Sequence, residues 1–333
     1  MKNLTNVFLV LLFLLFSGCS KNQNKIKIGF LIHSTSNIRW QMDLDYLNER
    51  ALQLDVDFIV KDAGGNENVQ LMQAVELLDE GVDALMVVAA NQNTAAGIVR
   101  ASHKKNVPVI AYDRLINNSD VDYMVSFEYE EIGRQMVDYI GSRISKGNCI
   151  MLWGDYGDSN ALRIKNGIES AINDNQAFKN IEIVYKAYVP SWSYENAYKI
   201  VEKILDFYPE KIDAVIACNV PLALAAADAF RNYGYLPGDV IITAQDATID
   251  FVKAMVNNEV SMTFSKPMQE FAYGSMDNVV DLLKNKKDDS FDKVIYNGRK
   301  NVPSKLYSPI LIDRSNYKKH LIEAGLFTLD EIH

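Results

Sequence analysis

Three apolar runs in this chain end in side chains that form strong, directional hydrogen bonds. The run from Val107 leads into Tyr112-Asp113-Arg114, the run from Asp213 into Cys218-Asn219, and the run from Val240 into Gln245-Asp246. A carboxylate or guanidinium makes charge-assisted hydrogen bonds, and an amide sets donor and acceptor in one plane. Each group alone would serve as a helix cap or the start of a turn. Three strand ends of the same kind favour a shared site for a polar small molecule. The runs are short and rich in β-branched residues, the pattern of strands buried on both faces. In open α/β sheets, ligands sit in the crevice beyond the carboxyl ends of such strands.

The surrounding pattern supplies those strands. From Lys25, strand and helix signals alternate, with strands at Lys27 to Ile32, Val56 to Lys61, Ala84 to Val88, Val107 to Tyr112 and Val121 to Phe127. Helical spacing fills the gaps, as at Trp40 to Leu54. The rhythm restarts at Glu130 and runs through the Asn219 and Asp246 strands. The expected fold is α/β: two Rossmann-like lobes with parallel sheets, a cleft between them and a multi-crossover hinge. Residues 26–125 plus 266–290 are expected in the first lobe, and 126–265 plus 291–333 in the second. Leu306 to Ile312 reads as one strand of the second lobe.

At 333 residues with net charge −9 and no Lys/Arg cluster, the chain is large enough for two lobes and unsuited to nucleic acid. Lys2, the apolar Val7 to Phe16 and the small residues Ser17-Gly18 before Cys19 form a processing signal. Residues 1–18 are read as a lipoprotein signal peptide, Cys19 as the lipidated residue that ties the chain to a membrane, and 19–25 as a tether. Cys149 and Cys218 lie in apolar runs and are expected as buried thiols. Trp153 is expected to be structural. No phosphate loop, dinucleotide fingerprint or nucleophile elbow is present. His33, His103, His320 and His333 share no metal-ligand spacing, so no metal and no cofactor are expected. Asp43 with Asp45, and Glu130 with Glu131, read as solvated helix faces.

Arg39-Trp40-Gln41, Ala111 to Asn117, Ser126-Phe127-Glu128, Asp158-Ser159-Asn160-Ala161, Trp192 with Glu195-Asn196-Ala197, Gln245-Asp246-Ala247, Lys266-Pro267, Asn297-Gly298 and Val302-Pro303-Ser304 follow in that order. Together they resemble the type I periplasmic binding proteins, nearest their D-xylose-binding group, over nearly all of the chain beyond the signal. The resemblance implies a monosaccharide, a xylose-like pentose, held between the lobes of a monomer that closes by hinge bending. Trp40 and Trp192 would stack on the sugar, while Arg39, Asp113, Arg114, Asn160, Asn219, Asp246 and Lys266 would bond its hydroxyls. Met42 and Val220 stand where the xylose pattern has a lysine and an acid, which bears on the choice of sugar. The implied partner is an ABC permease or a membrane sensor kinase, with the chain lipid-anchored in the periplasm or at the outer face of the membrane. A LacI-type regulator core needs a basic helix-turn-helix that the first residues do not supply, and an enzyme needs a base with a partner.

Overall fold

The computed structural model describes residues 25–36, 38–284, 291 and 293–332. Residues 1–18, Cys19 and the tether up to residue 24 lie outside the described residues, as do 285–290. The first sheet has seven strands and is built on β1 (Lys27–Ile32), β2 (Asp57–Asp62), β3 (Ala84–Val87), β4 (Val109–Tyr112) and β5 (Tyr123–Phe127). Helices α1 (Ile38–Gln53), α2 (Glu67–Asp79) and α3 (Ala96–His103) connect them. β3 and β4 are buried at every position, as expected where helices cover both faces.

The second sheet has six strands and contains β6 (Gly147–Trp153), β7 (Ile181–Tyr188), β8 (Ala214–Ala217), β9 (Ile241–Thr243) and β10 (Met262–Ser265). Its helices are α4 (Tyr129–Gly141), α5 (Ser159–Asp174), α6 (Tyr194–Phe207), α7 (Val220–Asn232) and α8 (Ile249–Val256). The strand order reverses between β1 and β3 in the first sheet and between β6 and β8 in the second. Those are the switch points where crevices open beyond the strand ends.

The chain passes from the first sheet to the second between β5 and α4, and returns after β10 through α9 (Met268–Leu283). α9 packs against α1, and Arg50 Nε donates to Asp277 across that contact at 2.8 Å. The hairpin β11 (Lys293–Tyr296) and β12 (Asn301–Tyr307) then extends the first sheet, with β12 parallel to β5. Only β13 (Ile310–Asp313) joins the second sheet, antiparallel to β10. Two expectations change here. Leu306 to Ile312 is not one strand, and β11 and β12 do not belong with the second sheet. Ser308-Pro309 divides the run, because proline removes the backbone donor that a continuing strand would need.

Local sequence explains the elements that carry the site. Asp158 caps α5 by accepting from the Asn160 N–H at 2.9 Å, and Asn219 caps α7 by accepting from the Leu222 N–H at 3.0 Å. α4 and α5 touch backbone to backbone: a Cβ on Gly167 would lie 1.9 Å from the Glu130 carbonyl oxygen. That approach sets Tyr129, at the start of α4, beside Asn160 at the start of α5. Cys149 and Cys218 are buried free thiols, and burial pushes both up to about 12. Trp153 lies in the core, 2% exposed.

Candidate functional site

The two strand-end acids are held by one device used twice. Asp113 and Asp246 both have left-handed backbone, with φ of 65° and 73°. Asp is among the few residues that adopt this conformation as single positions. In each case a hydroxyl on the next strand fixes the turn. Ser126 Oγ on β5 donates to the Asp113 carbonyl at 2.7 Å, and Thr263 Oγ1 on β10 donates to the Asp246 carbonyl at 2.7 Å. The strained turn carries each acid beyond the end of its strand.

The Asp113 carboxylate is fully buried and is the centre of the cluster. Arg39, from α1, holds it in a fork: Nη1 to Oδ2 at 3.1 Å and Nη2 to Oδ1 at 3.0 Å. Tyr129 donates to Oδ1 at 2.7 Å, and Asn160 Nδ2, reaching over from the second sheet's helices, donates to Oδ2 at 2.8 Å. Burial opposes its charge, yet Arg39, with help from Lys266 and Tyr129, outweighs that and holds the carboxyl well below the usual carboxylate range. The Arg39 guanidinium also lies over the Trp40 ring, 4.2 Å from its centre.

On the other side, Lys266 follows β10 and donates from Nζ to Asp246 Oδ1 at 2.7 Å and to Gln245 Oε1 at 2.8 Å. Its ammonium stands 3.5 Å from the Tyr129 hydroxyl, so Tyr129 links the Asp113 and Asp246 groups. Burial lowers the Lys266 ammonium from its ordinary value, and the Asp246 carboxylate opposes that. A third pair closes the gap between the sheets: Arg114 Nη2 meets Asp158 Oδ2 at 2.7 Å, and Ser159 Oγ accepts from the Leu115 N–H at 2.8 Å. Burial raises the Asp158 carboxyl, opposed by Arg114 and by a hydrogen bond from the Trp192 side chain.

Trp192 is half-buried, and its backbone is left-handed at φ 55°, rare for a bulky residue. Its ring lies flat against Gly154, where any Cβ would come within 2.1 Å of the indole. Trp40, by contrast, is only 4% exposed and has Arg39 on its ring. Asn219 reaches the same edge of the second sheet, but its side-chain oxygen is committed to the α7 cap. Met42 is exposed on α1, and Val220 is buried in the apolar core of the second sheet, so neither enters the polar cluster.

Four members of the cluster escaped the sequence reading. Tyr129 and Asp158 lie inside or beside motifs already noted, but nothing in their spacing marks them. His33, assigned no role, packs edge-on against Trp40 with ring centres 5.2 Å apart. Burial and the adjacent Arg114 and Arg39 hold it well below the usual imidazole range, so it is neutral. Asp43 corrects an expectation: it is not on a solvated face but wholly buried, one helical turn from Arg39. The i,i+4 spacing to Arg39 was the available signal. His33 Nδ1, Asn160 Oδ1 and Arg114 Nε are buried with no hydrogen-bond partner among the described residues, an arrangement rare in folded chains. No cluster of metal-ligating side chains occurs among the described residues.

What stands at the junction of the two sheets is thus a set of ionised and amide groups, buried and pre-aligned, with an indole at its margin. Such a set has the donors and acceptors to hold a compact polar ligand through directional bonds. The family model described as periplasmic binding protein domain matches residues 28–287. The chain is 32% identical to the D-xylose-binding periplasmic protein of Haemophilus influenzae, covering 94% of each chain. It is 31% identical to the protein of that name from Escherichia coli, covering 96% of each. Among solved structures it resembles an ABC transporter solute binding protein of Clostridium phytofermentans with bound beta-D-glucose, at TM-score 0.84 and 26% identity, over 92% of this chain and 100% of that one. The two-sheet architecture, the crossovers and these full-length likenesses agree: the chain belongs to the type I periplasmic sugar-binding protein family.

Proposed function

We propose that this protein is an extracytoplasmic receptor for a monosaccharide, a pentose of the D-xylose type, which it holds between its lobes and presents to an ABC permease. The observation that carries this reading is the cluster at the ends of β4, β9 and β10, where Asp113, Arg39, Asn160, Asp246 and Lys266 meet across the two sheets. Full-length likeness to two D-xylose-binding periplasmic proteins supports the choice of sugar. Sugar hydroxyls are donors and acceptors at once, so a ring of fixed planar groups reads their positions. A missing or inverted hydroxyl leaves a buried group unpaired, which costs roughly 1–3 kcal/mol.

In this reading Trp192 covers an apolar face of the ring, and Trp40 acts mainly by backing Arg39. Arg114 and Asp158 latch the lobes once the sugar is in place. Cys19 carries a lipid that keeps the receptor at the membrane. The chain works by binding and release, not by catalysis. Isothermal titration calorimetry against D-xylose, L-arabinose, D-ribose, D-glucose and myo-inositol tests it. A single-site transition, tightest for D-xylose or another pentose, is expected. No heat with any of the five overturns the sugar reading; a hexose or inositol bound tightest overturns the pentose assignment alone.

A further inference from the structure

The closed cluster contains three cations and three carboxylates in direct pairs: Arg39 with Asp113, Arg114 with Asp158, and Lys266 with Asp246. Asp43 is a fourth carboxyl without a cation of its own. It is 0% exposed, and neither of its oxygens has a hydrogen bond of good geometry. The nearest cation is Arg39, whose Nη2 is 3.7 Å from Asp43 Oδ2 but 3.0 Å from Asp113 Oδ1. The charged and titratable groups that act most on Asp43 are Arg39 on α1, Tyr112 and Asp113 from β4, and Lys266 from beyond β10. α9, which also packs on α1, brings Asp277 to Arg50 instead. An ionised Asp43 would therefore be a buried, poorly hydrogen-bonded charge competing with Asp113 for one guanidinium.

We propose that Asp43 is a positioning residue carried as a neutral acid in the closed protein, and that sugar binding is coupled to the proton it holds. This rests on the sugar-receptor reading. A neutral Asp43 leaves the Arg39 fork to Asp113, and its own O–H has an acceptor at hand in the adjacent Tyr112 hydroxyl, which otherwise has no hydrogen bond of good geometry among the described residues. Burial pushes the Asp43 carboxyl up to about 7, against the opposing pull of Arg39, in keeping with a proton retained near neutrality. Opening the lobes lets water reach the Arg39 edge and relieves the burial that raises the Asp43 carboxyl; withdrawal of the Lys266 ammonium acts the other way but is the smaller influence, so the open form ionises Asp43 more readily. Because the closed-state value is the raised one, closure is favoured in acid. That advantage shrinks as pH rises toward the closed-state value and is gone above it.

Two measurements decide it. The first follows the Asp43 carboxyl carbon by NMR titration, assigned through its own backbone, with and without D-xylose. The second measures D-xylose affinity between pH 5 and 8.5 for the wild type and Asp43→Asn. The expected results are a carboxyl still protonated at pH 6, and a wild-type affinity that falls by up to about tenfold per pH unit before levelling above neutrality. In Asp43→Asn the affinity is expected to be flat over the same range. An Asp43 carboxyl already ionised at pH 5.5, or an unchanged pH profile in Asp43→Asn, overturns the proposal. If D-xylose fails to bind at every pH, the sugar assignment fails, and the carboxyl titration still rules on Asp43. It also does so if the variant does not fold.

Discussion

Asp113 shows how far one residue can be fixed by its neighbours. Its carboxylate accepts from Arg39, Tyr129 and Asn160, and its carbonyl accepts from Ser126. Asp113→Asn keeps the shape but replaces one acceptor oxygen with a donor and strands the Arg39 charge. We expect sugar affinity to drop by about 2–5 kcal/mol, read by calorimetry. Stability changes with a definite pH sign. The folded carboxyl is held below its ordinary value, so its contribution is present above the unfolded value near ~4 and fades as pH falls through the folded one. Urea denaturation should show Asp113→Asn clearly less stable than wild type at pH 7, with the gap narrowing below pH ~4. An equal gap at both ends would mean that the loss is steric. Asp113 itself was legible from its place at a strand end. Tyr129 and Asp158, which complete its surroundings, were not, because their roles come from which helix start lies opposite which strand.

At the scale of elements, the close contact of α4 with α5 positions two donors on one carboxylate. Gly133 and Gly167 face the partner helix's backbone, with a Cβ on either one coming 2.2 Å or less from a carbonyl oxygen. Gly167→Ala must push the helices apart, at a cost of about 1–3 kcal/mol for such overpacking. Because Tyr129 and Asn160 ride on the two helix starts, sugar affinity should fall along with stability. Chemical denaturation and calorimetry on the same sample check this; a stability loss with unchanged affinity would show that the helix starts adjust independently. Most of the alternating elements were readable from periodicity, since buried strands and amphipathic helices write themselves along the chain. α8 (Ile249–Val256) was missed. The Leu306 to Ile312 run was joined across Ser308-Pro309, because strand patterning carries no record of which sheet a strand enters.

At the scale of the whole molecule, an apolar cluster shared by both sheets is supplemented by specific polar contacts. Arg114 with Asp158, Leu115 with Ser159, and Gln92 with Gly157 tie the β4 end and the loop after β3 to the start of α5. Asp158→Ala removes the ion pair and leaves Arg114 buried without that partner. We expect the sugar-free variant to have a larger radius of gyration than wild type by small-angle X-ray scattering. D-xylose affinity should weaken by about 2–3 kcal/mol. Identical scattering curves would show that the lobes are held together by something other than this pair.

The chain alone determined the α/β rhythm, the buried strands and the polar groups at their ends, because these follow from side-chain periodicity and from rules that act over a few residues. It also placed the family, through fragments spread along nearly its full length. Only the tertiary structure decided that Asp43 is buried, that His33 backs Trp40, that Arg39 is gripped by Asp113, and that β12 and β13 lie in different sheets. Those outcomes depend on contacts between segments far apart in the chain. Burial, pairing and charge state are properties of the assembled surroundings, and a lone residue type does not encode them.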